Sequence, residues 1–186
     1  MARYVISDHH FGHSRIIGYT DRPFSSVGEM NDELLDRHYD TVSADDVLIH
    51  LGDVAMDMQD GQETIEYFER LGGDLLCQGN HDVGLEPEDA PFPLLDSCIV
   101  EHGDYRFYCT HRPEDIPADW EGWAIHGHMH NNEPEQFPFI APNERRVNVS
   151  CELVGYRPVE LDALTSLLDV CETRVRDIEA VKELVQ

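Results

Sequence analysis

The order of hydrophobic and polar positions predicts buried strands that alternate with helices. In the first half of the chain, three short apolar runs are typical of strands covered on both faces, at residues 4–6, 47–49 and 75–77. Longer polar segments separate these runs. This rhythm is typical of an α/β or α+β domain.

One amphipathic helix is predicted between the first two strands. Met30, Leu34 and His38 recur every four residues on one face, which predicts a helix over about 29–39. Ser26 lies three residues before a glutamate, and this spacing is that of a capping box. The helix is therefore expected to begin just after Ser26.

A second helix and four more strands are predicted after it. Residues 63–71 form an amphipathic segment that ends at the pair Gly72-Gly73. Four further apolar runs predict strands, at residues 98–100, 105–109, 123–125 and 147–149. Residues 131–143 contain three prolines, so an exposed loop is predicted there.

Two amphipathic helical segments are predicted from about residue 161 onward. Their apolar stripes are interpreted as faces of the core: Leu161, Leu164, Leu168 and Cys171 in the first, and Val175, Ile178 and Val185 in the second. No internal repeat or low-complexity tract is visible, and 186 residues suit one domain. A single domain over residues 1–186 is therefore predicted.

Composition limits the classes of protein that fit. Hydrophobic residues make up 41% of the chain, enough for a core, and the mean hydropathy is −0.43. No apolar run approaches the roughly 18 residues that a membrane span needs, and the N-terminus lacks the pattern of a secretory signal. We therefore expect a soluble, cytoplasmic protein without a membrane partner.

The charge of the chain is strongly negative. Lys and Arg number 13 against 38 Asp and Glu, which gives a formal charge of −25. The electric field of a protein with this charge repels polyanions, so no extended nucleic-acid surface is expected. One hypothesis is adaptation to a salty cytoplasm, because a Debye length of about 3 Å near 1 M salt screens self-repulsion. The alternative is an acidic surface that keeps the protein soluble.

The five cysteines do not predict a disulfide framework or a zinc ribbon. They are odd in number, widely spaced and contain no Cys-x-x-Cys pair: Cys77, Cys98, Cys109, Cys151 and Cys171. Four of them lie among apolar or β-type residues, where a free cysteine usually packs as a small hydrophobic side chain.

Candidate chemistry follows the predicted strands. Five short polar clusters occur where strands end: Asp8-His9-His10, Gly52-Asp53, Gly79-Asn80-His81-Asp82, Thr110-His111 and Gly127-His128-Met129-His130. In α/β sheets, sites form beyond the carboxyl ends of strands. Carboxylate, imidazole and amide donors without thiolates suit manganese, iron or zinc. Seven donors exceed what one tetrahedral ion requires, and they fit two ions that share a carboxylate.

In their order along the chain, these clusters resemble the motifs of the calcineurin-like metallophosphoesterases. The family pattern is Asp-x-His, Gly-Asp, Gly-Asn-His-Asp or Glu, a later His, and Gly-His-x-His. Small prokaryotic and phage members are also similar in the stretches 7–13, 22–24 and 156–158. The resemblance implies a four-layer sandwich of two mixed β-sheets flanked by helices. It also implies an enzyme, a metal-dependent phosphoric ester hydrolase.

The resemblance implies a ligand set for each of two ions. One ion would be held by Asp8, His10, Asp53 and His130. The other would be held by Asp53, Asn80, His111 and His128, with Asp53 as the bridge. A hydroxide between the ions would be the nucleophile. Manganese is the first choice of metal, with iron, zinc or nickel as alternatives.

The resemblance also implies roles for three neighbouring residues. His81 would lie over the phosphoryl group and donate a proton to the leaving oxygen, or a hydrogen bond to the developing charge. Asp82 would accept from the other ring nitrogen of His81 and fix its tautomer. His13 would contact the leaving group, or else it caps a short helix that begins near Ser14.

Other cationic and imidazole side chains fall into two groups. Arg15, Arg22 and Arg112 are candidates for binding phosphate oxygens, since the chain has few basic residues, although surface salt bridges are an equally ordinary role. Three more histidines alternate with proposed ligands and are expected to point away from the site: His9, His50 and His126.

The favoured function is hydrolysis of a phosphodiester or a small nucleotide-type substrate. Protein serine/threonine phosphatases of the superfamily carry an aspartate followed by arginine after the bridging aspartate, and residues 53–58 lack that arginine. Two alternatives remain open, a nuclease on short nucleic acids and a metal-binding scaffold without turnover. The negative charge disfavours the nuclease, and the intact ligand positions disfavour the scaffold.

Overall fold

The computed structural model describes residues 1–56 and 61–184, with side chains described up to residue 181. Ten strands are present there: β1 (Arg3–Ile6), β2 (Val47–His50), β3 (Leu75–Cys77), β4 (Leu94–Leu95), β5 (Ser97–His102), β6 (Tyr105–Thr110), β7 (Trp123–His126), β8 (Ile140–Ala141), β9 (Arg146–Asn148) and β10 (Val159–Glu160). All seven strands predicted from the apolar runs are among them.

The strands form two mixed sheets of five strands each. The first has the order β10-β1-β2-β3-β4, and the second has the order β5-β6-β7-β9-β8. In the first sheet only β10 is antiparallel to its neighbour, whereas the second sheet has antiparallel pairs at both edges. The predicted fold class, two mixed sheets with helices, is confirmed.

The described residues also form five helices and one 3₁₀ turn. They are α1 (Ile16–Tyr19), α2 (Val27–Tyr39), α3 (Gln62–Arg70), α4 (Leu161–Val170), α5 (Ile178–Leu184) and the turn Pro113–Asp115. Ser26 caps α2 as predicted, because its hydroxyl accepts from the backbone N–H of Glu29 at 3.2 Å. The Glu29 carboxylate turns instead to Ser25, so the capping box is not reciprocal. None of the described helices is long and apolar enough to cross a bilayer.

The two sheets meet where β1 and β9 end. The backbone N–H of Ser7 donates to the carbonyl of Val149 at 3.1 Å, and Cys151 N–H donates to the carbonyl of Ser7 at 3.2 Å. Ser7 and Ser150 form a parallel bridge. This junction brings the segments that follow strands of both sheets to one side of the molecule.

Two predictions near the C-terminus are corrected. The predicted exposed loop at 131–143 contains β8, and residues 139–141 are buried, because their apolar side chains complete the core beside β9. Val175 is not helical; it forms a bridge with Ile140. The first C-terminal stripe is buried as predicted, whereas Val185 lies outside the described residues.

The cysteines behave as predicted. All five are free thiols, and every one except Cys98 is buried. The sulfur atoms of Cys77 and Cys98 lie 3.9 Å apart.

Candidate metal centre

The predicted ligands lie together beyond the carboxyl ends of strands from both sheets. Asp8 and His10 follow β1, Asp53 follows β2, and Asn80 follows β3. His111 follows β6, and His128 and His130 follow β7. Within this ligand cluster, two groups of three have donor atoms within 4.8 Å of one another. We name Asp8, His10 and His130 the first half-site, and Asp53, His111 and His128 the second half-site.

Five of the seven proposed ligands have a left-handed backbone. The φ angles are 61° at Asp8, 54° at His10, 56° at Asp53, 69° at His128 and 49° at His130. Residues other than glycine rarely adopt this conformation, and such strain concentrates at functional sites. These loops therefore adopt an unfavourable backbone conformation, which directs the five side chains toward one point.

The first half-site is buried and arranged around one oxygen. Asp8 Oδ1 lies 3.9 Å from His10 Nε2 and 3.7 Å from His130 Nε2. The other oxygen of Asp8 accepts from the Ser7 hydroxyl at 2.5 Å and from His128 N–H at 3.0 Å. These bonds fix the carboxylate with Oδ1 toward the imidazoles.

Asp53 lies between the half-sites. Its Oδ2 is 3.4 Å from His10 Nε2 and also 3.4 Å from His111 Nε2. Its Oδ1 accepts from the backbone N–H of His81 at 2.7 Å. Asn80 contributes its amide oxygen next to this group, 3.1 Å from His111 Nε2. One oxygen of Asp53 thus faces an imidazole from each side.

A glycine beside Asp8 permits the close approach of the two sheets. A methyl group on Gly127 would overlap the side chains of Ser7 and Asp8. Only a residue without a Cβ fits at this position.

The donor set fits divalent ions. His10 Nε2 is buried, and it has no hydrogen-bond partner among the described residues although two carboxylates lie 3.4 and 3.9 Å away. An orphaned buried nitrogen is costly unless something binds it. Imidazoles and carboxylates around such a nitrogen are the ligands that manganese, iron or zinc accept.

The electrostatics favour the ligand forms of two of these groups. Burial would raise the pKa of Asp8, but the imidazoles of His130 and His111 hold it well below its usual range. Burial lowers the pKa of His10 to about 3, against the attraction of the carboxylates. Asp8 is therefore a carboxylate and His10 a neutral imidazole at neutral pH, the forms that bind metals.

His111 differs in its protonation. Burial lowers its pKa, but the hydrogen bond and charge of Asp53 outweigh this effect and raise the pKa to about 9. His111 Nδ1–H donates to the carbonyl of Leu51 at 2.8 Å, so Nε2 faces the cluster. Without an ion the ring keeps a proton at Nε2, which must leave when a metal binds.

His81 lies beside the ligand cluster. Its ring is half-buried, 5.0 Å from the ring of His10 between centroids, and its donor atoms group with those of His10 and Asp53. The His13 ring lies 6.0 Å from that of His81. Helix α1 has no side-chain cap, so the His13 ring faces the cluster and does not cap the helix.

The predicted contact between Asp82 and the ring of His81 is wrong. Asp82 is buried, and its carboxylate accepts from the backbone N–H groups of Asp53, Val54 and Gly79 at 2.8–3.0 Å. Burial and the charge of Asp53 raise the pKa of Asp82 to about 6, although these bonds oppose the shift. Asp82 therefore fixes the loop that carries Asp53.

Two cavities border the cluster. One of about 410 Å³ is lined by His13, Arg15, Tyr19 and His81, among others. The other, of about 230 Å³, adjoins Asn80 and His111 and includes Arg112. In the part of the chain that the structure describes, neither Arg15 nor Arg112 forms an ion pair.

Of the two roles left open for Arg22, phosphate binding and a salt bridge, the structure shows a salt bridge. Its guanidinium is buried and pairs with Glu152, with Nη2 2.8 Å from Oε1. Glu152, which sequence reasoning missed, also faces His130 Nδ1 at 3.1 Å. Nothing in the local sequence marks Glu152, because it follows β9 and pairs with a residue 130 positions away.

The remaining histidines point away from the site as predicted. His9 Nδ1 and His50 Nε2 are 2.7 Å apart in the core, and His126 Nδ1 lies 2.9 Å from the carbonyl of Gly127. Burial lowers the pKa of His50 to about 3 and that of His126 to about 4, so both are neutral.

Comparisons with known proteins agree with this architecture. The uncharacterized protein MJ1445 of Methanocaldococcus jannaschii is 36% identical over 168 residues, which span 89% of this chain and 90% of that protein. A solved structure of the protein AQ665 of Aquifex aeolicus, whose function is unknown, has 24% identity and a TM-score of 0.67 and covers 89% of this chain and 98% of its own. No family model matches the chain.

Phosphoesterases are also among the similar structures. The phosphoesterase YfcE of E. coli has 20% identity and a TM-score of 0.44, with 81% of this chain and 78% of that chain covered.

Proposed function

The chain belongs to the same family as the protein MJ1445 of Methanocaldococcus jannaschii, and we propose that it is a metal-dependent phosphoesterase of the calcineurin-like type. Its two half-sites would hold two divalent ions. Manganese is the first choice, with iron, zinc or nickel as alternatives. The substrate would be a small phosphodiester or nucleotide-type ester.

One observation carries the proposal. Asp53 Oδ2 lies 3.4 Å from an imidazole nitrogen of each half-site. A carboxylate oxygen in this position can be shared by two cations, and the paired ions of phosphoesterases lie about 3.5–4 Å apart. The left-handed backbone of Asp53 and the three N–H bonds to Asp82 maintain this placement.

The protein side chains would orient the phosphoryl group and handle the leaving-group proton. Bound ions would lower the pKa of water to about 7 and stabilise charge on attacking and leaving oxygens. Arg15 and Arg112, each in a cavity beside the cluster and without an ion pair among the described residues, would bind phosphate oxygens. His81 would donate a proton to the leaving oxygen, because its ring is accessible and borders the first cavity.

Two features support a diester over a monoester. Cavities border the cluster at His81 and at Asn80, so each ester arm of a diester would have space. A diester with a poor leaving group also needs a general acid, which His81 would supply. The net charge of −25 disfavours long nucleic acids, so a small substrate is proposed.

The test is hydrolysis by purified, manganese-loaded protein. Bis(p-nitrophenyl) phosphate, p-nitrophenyl phosphate and short oligonucleotides are offered in parallel, with the metal-free protein as control. The proposal expects metal-dependent hydrolysis with higher kcat/KM for the diester. Faster cleavage of oligonucleotides would favour the nuclease, and faster monoester cleavage would overturn the diester preference. Stoichiometric ion binding without hydrolysis of any ester would support the scaffold and contradict the proposal.

A further inference from the structure

A buried ion pair lies directly behind the first half-site. Arg22 Nε donates to Glu152 Oε1 at 2.9 Å, and Nη2 lies 2.8 Å from the same oxygen. The side chains are 0% and 2% exposed. Removing two charges from water is costly unless further hydrogen bonds compensate. The remaining bonds of both groups therefore indicate what the pair holds in place.

Glu152 holds the imidazole of His130. Both of its oxygens lie 3.1 Å from His130 Nδ1. A carboxylate only accepts, so Nδ1 carries the hydrogen. His130 Nε2 is then directed toward Asp8 Oδ1, 3.7 Å away, where the first half-site converges. A carboxylate in this position orients a ligand imidazole and makes it more basic.

Arg22 holds the other ligand loop of the same half-site. Its Nη2 donates to the carbonyl of Asp8 at 2.7 Å, and its Nη1 donates to the carbonyl of His9 at 2.6 Å. This loop has left-handed residues at Asp8 and His10, and the two bonds from Arg22 add to those from Asp8 N–H to the Gly52 carbonyl and from His10 N–H to the Asp53 carbonyl. One ion pair thus contacts both chain segments that form the first half-site.

The second half-site has a different anchor. His111 Nδ1–H donates to the backbone carbonyl of Leu51, and no carboxylate occupies that position. The environment of the two proposed ions is therefore unequal.

We infer that Glu152 and Arg22 are positioning residues that give the first half-site the higher metal affinity. This inference rests on one part of the proposed function, the binding of two ions by the cluster. It does not depend on hydrolysis. It predicts that loss of the Glu152 charge weakens one ion and spares the other.

The experiment is a Co²⁺ titration of Glu152→Gln, which keeps the size and a hydrogen-bond acceptor. Wild type should bind two ions, and the variant should lose about 10- to 100-fold in affinity for the tighter one only. The matched control is Asp162→Asn, which removes a carboxylate 2.7 Å from His102 on the surface and should change neither affinity. Circular dichroism confirms that each variant is folded.

Two further substitutions, each combined with Glu152→Gln, show which of the two ions is affected. In His111→Asn, Glu152→Gln should still weaken the remaining ion about 10- to 100-fold. In His130→Asn, the further loss should be smaller, because only the support that Arg22 gives to the Asp8 loop is then affected. Equal weakening of both ions, or a loss in the His130→Asn background as large as that in the His111→Asn background, would overturn the inference.

A second measurement uses wild type alone, so it does not require that any variant folds. In metal-free wild type, ¹⁵N chemical shifts of His130 should report hydrogen on Nδ1 and not on Nε2 alone. The opposite tautomer would overturn the inference. Because ion binding and tautomer are measured without substrate, absent hydrolysis would contradict the proposed function and leave this inference intact.

Discussion

The two half-sites reach the same donor chemistry by different structural means. The first lies deeper: its three ligands are at most 9% exposed, and a buried ion pair supports them. In the second, His128 is half-buried, and His111 is anchored by the carbonyl of Leu51. Asp53 was grouped with the second half-site by the distances between donor atoms, but it faces both half-sites.

This difference follows from how the chain arrives at each half-site. His111 directly follows β6, so a backbone carbonyl of the adjacent sheet is available to hold it. The first half-site contains three of the five left-handed ligands, and its His130 faces the carboxylate of Glu152 and not a backbone carbonyl. A charged pair from elsewhere in the chain replaces that support, and its strength depends on its burial.

Asp53→Asn should remove the carboxylate that the two half-sites share. Among the predicted changes, it should have the largest effect on metal binding and turnover. Loss of the shared carboxylate should weaken both ions and lower turnover by more than the roughly 10²–10⁴-fold expected for loss of a general acid. Metal content after dialysis and kcat measure this. Asp89→Asn, at an exposed position, is the matched control. Retention of both ions in Asp53→Asn would show that Asp53 is not shared.

His81→Ala should leave both half-sites intact and act on chemistry alone. Turnover of a diester with a poor leaving group should fall by about 10²–10⁴-fold, and less for a nitrophenyl ester, which needs little protonation. Two ions per chain should remain. Simultaneous loss of metal and turnover would refute the proposed role of His81.

Acid should remove the support that Glu152 gives to His130 in the first half-site, whereas the carbonyl of Leu51 that anchors His111 in the second does not titrate. Burial opposes the shift, but Arg22 and His130 lower the pKa of Glu152 to about 2, from 4.5 in the unfolded chain. A lowered pKa stabilises the fold above pH 4.5, and this stability is lost as the pH falls toward 2. The contribution is about 3 kcal/mol.

Urea unfolding of the metal-free protein measures this effect. The difference in free energy of unfolding between wild type and Glu152→Gln should shrink between pH 5 and pH 3. Glu33→Gln, which breaks an exposed pair with Arg37 at 3.3 Å, should cost at most about 1 kcal/mol. A Glu152 difference that does not change over this range would contradict the assignment of its pKa.

Added salt should have the smallest effect on the support that the Arg22–Glu152 pair gives to the first half-site. If the charge of −25 is an adaptation to salt, 1 M KCl should raise the stability and activity of wild type. The difference between wild type and Glu152→Gln should change by less than roughly 0.5 kcal/mol, because buried charges are little screened. No gain for wild type would refute the salt hypothesis, and a large fall in the difference would mean that water reaches the pair.

The parts of the molecule that sequence reasoning predicted are those with a local signal. Apolar runs located β1 to β3, and the four-residue spacing of Met30, Leu34 and His38 located α2. The order of five short motifs placed all seven ligands in one cluster, although no single motif is specific. Two-residue strands such as β8 are too short for periodicity to reveal.

The parts that were missed depend on contacts distant in sequence. The sequence does not reveal that Arg22 pairs with Glu152, which lies 130 positions away, or that Asp82 binds backbone N–H groups instead of its neighbour His81. A carboxylate beside a strained loop binds backbone N–H groups when they lack other partners, and such groups are invisible in a sequence. Left-handed backbone at Asp8 or His130 likewise has no marker, because neither residue is glycine.

The most direct test of the two-half-site arrangement counts ions and hydrolysis in one preparation. Metal-free protein is dialysed against Mn²⁺, and bound metal and bis(p-nitrophenyl) phosphate hydrolysis are measured on the same sample. Two ions per chain, with hydrolysis that appears only as the second ion binds, is the predicted result. Full activity with a single ion per chain, or no ion bound at all, would contradict it.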